Sequence, residues 1–119
     1  MEAAALESRD WRLSQLAIDG ELAPVADDVR ATARFEDGAI TGSGGCNRYR
    51  AGYTLDGDRI SFGLAMSTRM WCGDEAGRVE YAYLQALERA AAWSIDDGAL
   101  IITDGSRTPL LRFEAAPPA

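Results

Sequence analysis

The residues best equipped for chemistry are two cysteines, Cys46 and Cys72, in a chain of 119 residues that holds no histidine. Without histidine the commonest general base and the usual partner of a nucleophilic serine or cysteine are missing, which excludes Ser-His and Cys-His catalysis. The cysteine spacing does not fit a Cys-x-x-Cys redox pair, and a zinc site would need unusual ligands. Two readings stay open for the thiols. A Cys46–Cys72 bridge would remove roughly 3–4 kcal/mol worth of unfolded-chain entropy; two buried free thiols are the alternative in a reducing compartment.

Carboxylate chemistry remains formally open, but most acidic residues stand in Asp-Gly turns or on the wet face of a helix, where they fix turns and keep the surface solvated. Gly42-Ser43-Gly44-Gly45 lacks the Lys-Ser/Thr of a phosphate loop and the helix that opens after it, so it reads as a sharp corner between strands. At that corner Asn47 is expected to bond local backbone. Arg48, Arg50 and Arg69 are expected along one side of the sheet; clustered, they would suit an acidic peptide or carboxylate, and scattered solvated arginines are the plainer expectation. Tyr49, Tyr53, Trp71 and Trp93 read as core fillers first and as a ligand wall second. No cofactor is implied.

The elements that must position these residues follow from periodicity and turn chemistry. Trp11, Leu13, Leu16 and Ile18 fit a strand interrupted near Gln15, closed by an Asp19-Gly20 turn. Val29, Ala31, Ala33 and Phe35 alternate with polar residues, as a half-buried strand does. Asp37-Gly38 predicts a type I′ hairpin leading to Ala39-Ile40-Thr41. Beyond the glycine corner, Tyr49, Ala51, Tyr53 and Leu55 share a face, and Asp56-Gly57 returns the chain to Ile60 and Phe62. The same punctuation recurs at Asp97-Gly98, between Trp93/Ile95 and Leu100/Ile102, and at Asp104-Gly105 before Leu110-Leu111-Arg112-Phe113. From Glu75 to Ala92 the period changes: Val79, Tyr83 and Leu87 fall at helical spacing, with Asp74 as the expected N-cap. The fold class is therefore α+β, a mostly antiparallel meander of about eight short strands with one amphipathic helix packed on it. The domain is placed at residues 11–114, between a loose segment 1–10 and a disordered tail 115–119.

With 12 basic against 19 acidic residues, the net charge is −7. That balance opposes nucleic-acid and anionic-membrane binding. The sequence shows no secretory leader and no stretch long and apolar enough to span a bilayer.

Taken in order, Gly42-Ser43-Gly44-Gly45-Cys46-Asn47-Arg48-Tyr49, Gly52-Tyr53-Thr54, Ser67-Thr68-Arg69-Met70-Trp71-Cys72 and Glu80-Tyr81-Ala82-Tyr83-Leu84-Gln85-Ala86-Leu87 resemble the META domain, or HslJ-like, family. The likeness runs from about Trp11 to Phe113, and several separated motifs in order make it specific. It marks Gly42, Gly45, Asn47, Thr68, Met70 and Glu80 as motif positions. It implies a curved, partly barrel-like (lipocalin-like) sheet with one helix. It also implies a bacterial envelope protein in the periplasm or cell envelope, often a lipoprotein, linked to heat-shock and antibiotic stress, without enzymatic activity. Because such proteins are exported, it favours the disulfide over free thiols. The chain departs from the usual pattern in lacking a leader, which leaves a cytoplasmic home open, and in placing Trp71 before Cys72, which sets Trp71 beside Arg48, Arg50 and Arg69 as a binding-surface candidate.

The function expected is a non-enzymatic module, monomeric, that binds a protein or envelope component through an exposed sheet face or loop edge. A carrier of a small apolar ligand in a lipocalin-like barrel is the alternative. An enzyme working with Asp or Glu alone comes last.

Overall fold

A computed structural model describes residues 6, 7, 9–18, 20–25, 29–68 and 73–115. Among the described residues, ten strands and one long helix follow one another as β1 (Trp11–Ile18), β2 (Glu21–Pro24), β3 (Thr32–Glu36), β4 (Ala39–Ser43), β5 (Arg48–Asp56), β6 (Arg59–Phe62), β7 (Met66–Ser67), α1 (Asp74–Arg89), β8 (Ala92–Asp96), β9 (Ala99–Thr103) and β10 (Pro109–Ala115). All pairings are antiparallel. Because β10 pairs with β1, the sheet closes in a ring through β1, β3, β4, β5, β6, β8, β9 and β10, with β2 added to β1 and β7 to β5. Closure removes most of the free strand edge that an open sheet would present.

Tight turns set the register. Asp37 and Gly38 both have positive φ, 54° and 78°, and so do Asp97 and Gly98, at 53° and 83°. These are the two left-handed residues of a type I′ turn, whose twist matches its flanking strands. The irregularity expected near Gln15 is a register shift between Leu13 and Gln15 in the β1–β10 ladder. The narrowest seam is β6–β8, where Arg59 faces Ala92 and two bonds hold the strands, Ile60 N–H to Ala91 O at 3.0 Å and Trp93 N–H to Asp58 O at 2.9 Å.

Inward-facing side chains fill the ring. Trp11, Leu13, Phe35, Ile40, Leu100, Ile102, Leu111 and Phe113 are buried within one cluster, which α1 joins with Tyr83, Ala86 and Leu87. Phe35 meets Tyr53 edge to face at 5.1 Å, and Tyr83 meets Tyr49 at 5.4 Å and Phe113 at 6.0 Å between ring centroids. Such offset and T-shaped contacts suit the ring quadrupoles and add to the burial of area.

Several expectations need correction. Leu6, placed outside the domain with residues 1–10, is fully buried and its carbonyl accepts the Trp11 indole N–H at 3.0 Å. A lone leucine in an alanine- and glutamate-rich run carries no period, so its anchoring role was invisible. Ala115, assigned to the tail, pairs with Trp11; residues 116–119 lie outside the described residues. The helix starts at Asp74, and its N-cap is Gly73, with φ 101° and no side-chain cap bond. The turn after β5 is centred on Gly57 and Asp58, since Asp56 still pairs with Arg59. The loop at Asp104-Gly105 is longer than a two-residue hairpin: Asp104 accepts N–H groups from Ser106 and Thr108, and the left-handed residue is Arg107.

Candidate interaction surface

The glycine corner joins β4 to β5 and is pressed onto α1. A β-carbon at Gly42 would stand 2.3 Å from the carbonyl oxygen of Thr32, and one at Gly44 would stand 2.8 Å from Glu80 Cγ. Glycine at those two positions is what lets the corner lie against strand β3 and the helix. Gly45 has φ 114°.

Glu80, on the second turn of α1, holds the corner. Its Oε1 accepts the backbone N–H of Asn47 at 2.5 Å and of Cys46 at 3.3 Å, and its Oε2 accepts the Asn47 side-chain amide at 2.8 Å. The Asn47 side-chain oxygen, Oδ1, in turn accepts the Thr68 hydroxyl at 3.0 Å. Charge-assisted bonds of this kind are stronger than neutral ones. Asn47 therefore ties the corner to a helix and to the chain after β7, whereas the sequence had suggested local backbone; contacts between positions this far apart leave no mark in spacing. Both oxygens of Glu80 are engaged by donors, an arrangement that clamps backbone.

Beside this clamp, Tyr49 and Tyr83 join hydroxyls at 2.5 Å, and Tyr49 donates to the Thr32 carbonyl at 2.8 Å. Burial pushes both phenols well above the ordinary tyrosine range. Tyr53 donates to Glu7 at 2.8 Å and is also raised, first by burial and then by that carboxylate.

Arg48 and Arg50 stand exposed on the outer face of β5, two positions apart and so on the same side. Across the strands, Arg34 faces Thr41, Thr41 faces Arg50, and Arg50 faces Met66. Arg34 is paired with Glu36 at 3.5 Å and Asp10 at 3.8 Å. Arg48 and Arg50 thus lie solvated on one side of the sheet, and Arg34 stands on that side with them, which sequence reasoning missed although β3 alternation put Arg34 on the wet side. Cys46 is half-buried on the corner. Arg69, Met70, Trp71 and Cys72 lie outside the described residues, and with them the pairing of Cys46. Among the described residues no group of His, Cys, Asp and Glu is placed to hold a metal ion, and no helix is long and apolar enough to cross a membrane.

An antiparallel ring closed by β1 and β10, with one helix packed on it whose carboxylate clamps the glycine bend, is a β-rich α+β domain. The META domain family model matches residues 4–117, and the chain belongs to that family. Among solved structures, the fold is similar to a protein from Burkholderia xenovorans studied by NMR, 26% identical, with 99% of this chain and 90% of that one covered at a TM-score of 0.79. It is also similar to a DUF4847 family protein from Bacteroides vulgatus ATCC 8482, 14% identical, with 96% of each chain covered and a TM-score of 0.67. The latter likeness concerns the fold alone. No curated protein matches the chain.

Proposed function

We propose that this META domain is a non-enzymatic, stress-associated module of the bacterial cell envelope that works as a monomer by binding a protein or another envelope component. The observation that carries this reading is the contrast between the two faces of the sheet. The inner face is packed with aromatic and aliphatic side chains, among them Phe35, Tyr49, Tyr53 and Phe113, and Tyr83 of α1 lies against them. The outer face of β3, β4 and β5 carries guanidinium groups open to solvent. A carrier of apolar cargo needs an interior space of several hundred Å³, and the filled ring favours surface contact over that alternative. The carboxylates support the same reading, since Glu80 is engaged by backbone donors and Asp104 by its own loop. Family membership supports an envelope setting, and with it a Cys46–Cys72 bridge.

The test is affinity capture of the tagged full chain from envelope and soluble fractions, with the bound species identified by mass spectrometry and a thiol count on the same sample. The reading expects a discrete partner enriched from the envelope fraction and no free thiol. Turnover of a small molecule abolished by a carboxylate substitution would overturn the non-enzymatic assignment. Retention of an apolar compound inside the purified ring would favour the carrier.

A further inference from the structure

We propose that the outer face of β3–β4–β5 docks an extended acidic segment of a partner protein, with Arg48 and Arg50 as its anchors; this deepens the binding reading above and rests on it. Two shallow depressions cross this face. One, of about 240 Å³, is lined by Asp10, Thr32, Arg34, Thr41 and Arg48, and the other, of about 400 Å³, by Thr41, Arg48, Arg50, Met66 and Ser67. They share Thr41 and Arg48, so they adjoin over β4 and β5 and form one open trough beside Arg48 and Arg50, over which a segment running along β5 can lie. The trough is open along its length, which suits a chain laid over it better than a small molecule enclosed by it.

Charge decides what kind of chain. Arg34 is already balanced by Asp10 and Glu36. Neither Arg48 nor Arg50 has a carboxylate within ion-pair distance among the described residues, and both are exposed. The molecule as a whole carries −7, so an unneutralised pair of guanidiniums is a local reversal of its field. Such a patch orients an anionic partner while the rest of the surface repels wrong approaches. Nucleic acid, with a phosphate at every step, is disfavoured by the same net charge.

Spacing points to an extended peptide. Side chains two apart on a strand are separated by roughly 7 Å, and alternate side chains of any extended chain repeat at the same distance. Glutamates at alternate positions therefore match Arg48 and Arg50 one to one, each able to accept a forked pair of N–H groups. Met66, 76% exposed and beside Arg50, offers an apolar contact to the same segment.

The test uses the full chain and a synthetic peptide of alternating glutamate and valine, with a glutamine-for-glutamate peptide as control, in low and high salt. Wild type is expected to bind the glutamate peptide in low salt and to ignore the glutamine one. Arg48→Glu with Arg50→Glu should weaken binding by at least about tenfold. Arg59→Glu with Arg78→Glu, an equal change of net charge elsewhere, should leave it unchanged. Amide shifts of Thr41 and Ser67 in the wild-type chain on peptide addition locate the contact without relying on any variant's folding. Equal weakening by both double variants, equal binding of the glutamine peptide, or amide shifts elsewhere would overturn the proposal. So would binding of anionic lipid vesicles or a sulfated glycan through Arg48 and Arg50 in place of the peptide. An envelope partner captured equally well by the Arg48/Arg50 double variant would sink this surface and leave the binding reading standing.

Discussion

Glu80 and Asn47 are joined twice, through the backbone N–H at 2.5 Å and the side-chain amide at 2.8 Å, so one carboxylate fixes both the path of the corner and the direction of its first polar side chain. Glu80→Ala would remove the acceptor that those donors share with the Cys46 N–H. The expected cost is about 2–3 kcal/mol, the range for losing hydrogen bonds to a charged group. Glu80→Gln keeps one carbonyl oxygen for the backbone donors but turns an NH2 toward the Asn47 amide, so its loss should be smaller and should shrink further in Asn47→Asp. Urea denaturation of the three variants checks the order; a Glu80→Ala midpoint equal to wild type would mean the clamp is ornamental.

Tyr49 and Tyr83 form an asymmetric pair. The Thr32 carbonyl can only accept, so the Tyr49 proton points there and Tyr83 must be the donor to Tyr49. Tyr83→Phe therefore removes one donor and should cost about 1 kcal/mol, while Tyr49→Phe strands the fully buried Tyr83 hydroxyl and takes a donor from Thr32, for about 2–3 kcal/mol. The pH dependence has a fixed sign. Folded-state values above the unfolded ones contribute stability that is whole below about pH 10 and is lost as pH rises through the folded values. Melting temperature should fall steeply on the alkaline side, less so in Tyr83→Phe.

The chain makes some of this fold legible and hides the rest for physical reasons. β3 and β5 could be read because burial on one face forces a period of two, and α1 because Tyr83 and Leu87, with the partly buried Val79, fall at a longer one. The Asp-Gly pairs at Asp37 and Asp97 could be read because their backbone angles admit few residue types. β2 and β7 escaped: four and two residues are too short to show a period. Ring closure by β1 and β10 joins the two ends of the chain, and nothing local encodes it. The arginine face was half legible, since alternation says which residues are wet but not which strands lie side by side.

Asp104 caps its own loop, its Oδ1 accepting N–H groups of Ser106 at 2.8 Å and Thr108 at 3.0 Å, while Oδ2 stands 3.7 Å from Arg89 Nη2. The Thr108 bond first, the Ser106 bond next and Arg89 last hold the carboxyl below its ordinary value. A depressed folded value contributes stability that is present above about pH 4 and is lost as pH falls through that lower value. Asp104→Ala should thus lower the melting temperature at neutral pH, with the gap to wild type closing in acid. Arg89→Gln should change little, because a pair 3.7 Å apart whose arginine is largely exposed is worth little. A larger effect from Arg89 than from Asp104 would show that charge, and not the loop's own N–H groups, sets the carboxyl's behaviour.

Leu87 tests whether the helix closes the ring or merely lies on it. The residue is 1% exposed within the same cluster as Tyr83, Phe113 and Ile60, whereas Tyr81, six residues earlier on the helix, is 69% exposed. Removing a buried leucine to alanine costs its transfer from water plus the cavity left behind, about 2–5 kcal/mol where surroundings cannot collapse. The hydrogen-bonded strands framing the site limit such collapse, so the upper half of that range is expected. Tyr81→Ala should shift stability by under about 1 kcal/mol, as exposed substitutions do. Denaturant midpoints with unchanged slope would show the loss to be a local cavity in an intact fold. If Leu87→Ala and Tyr81→Ala proved equally mild, α1 would be a peripheral helix, and the Glu80 clamp alone would have to hold the glycine corner in place.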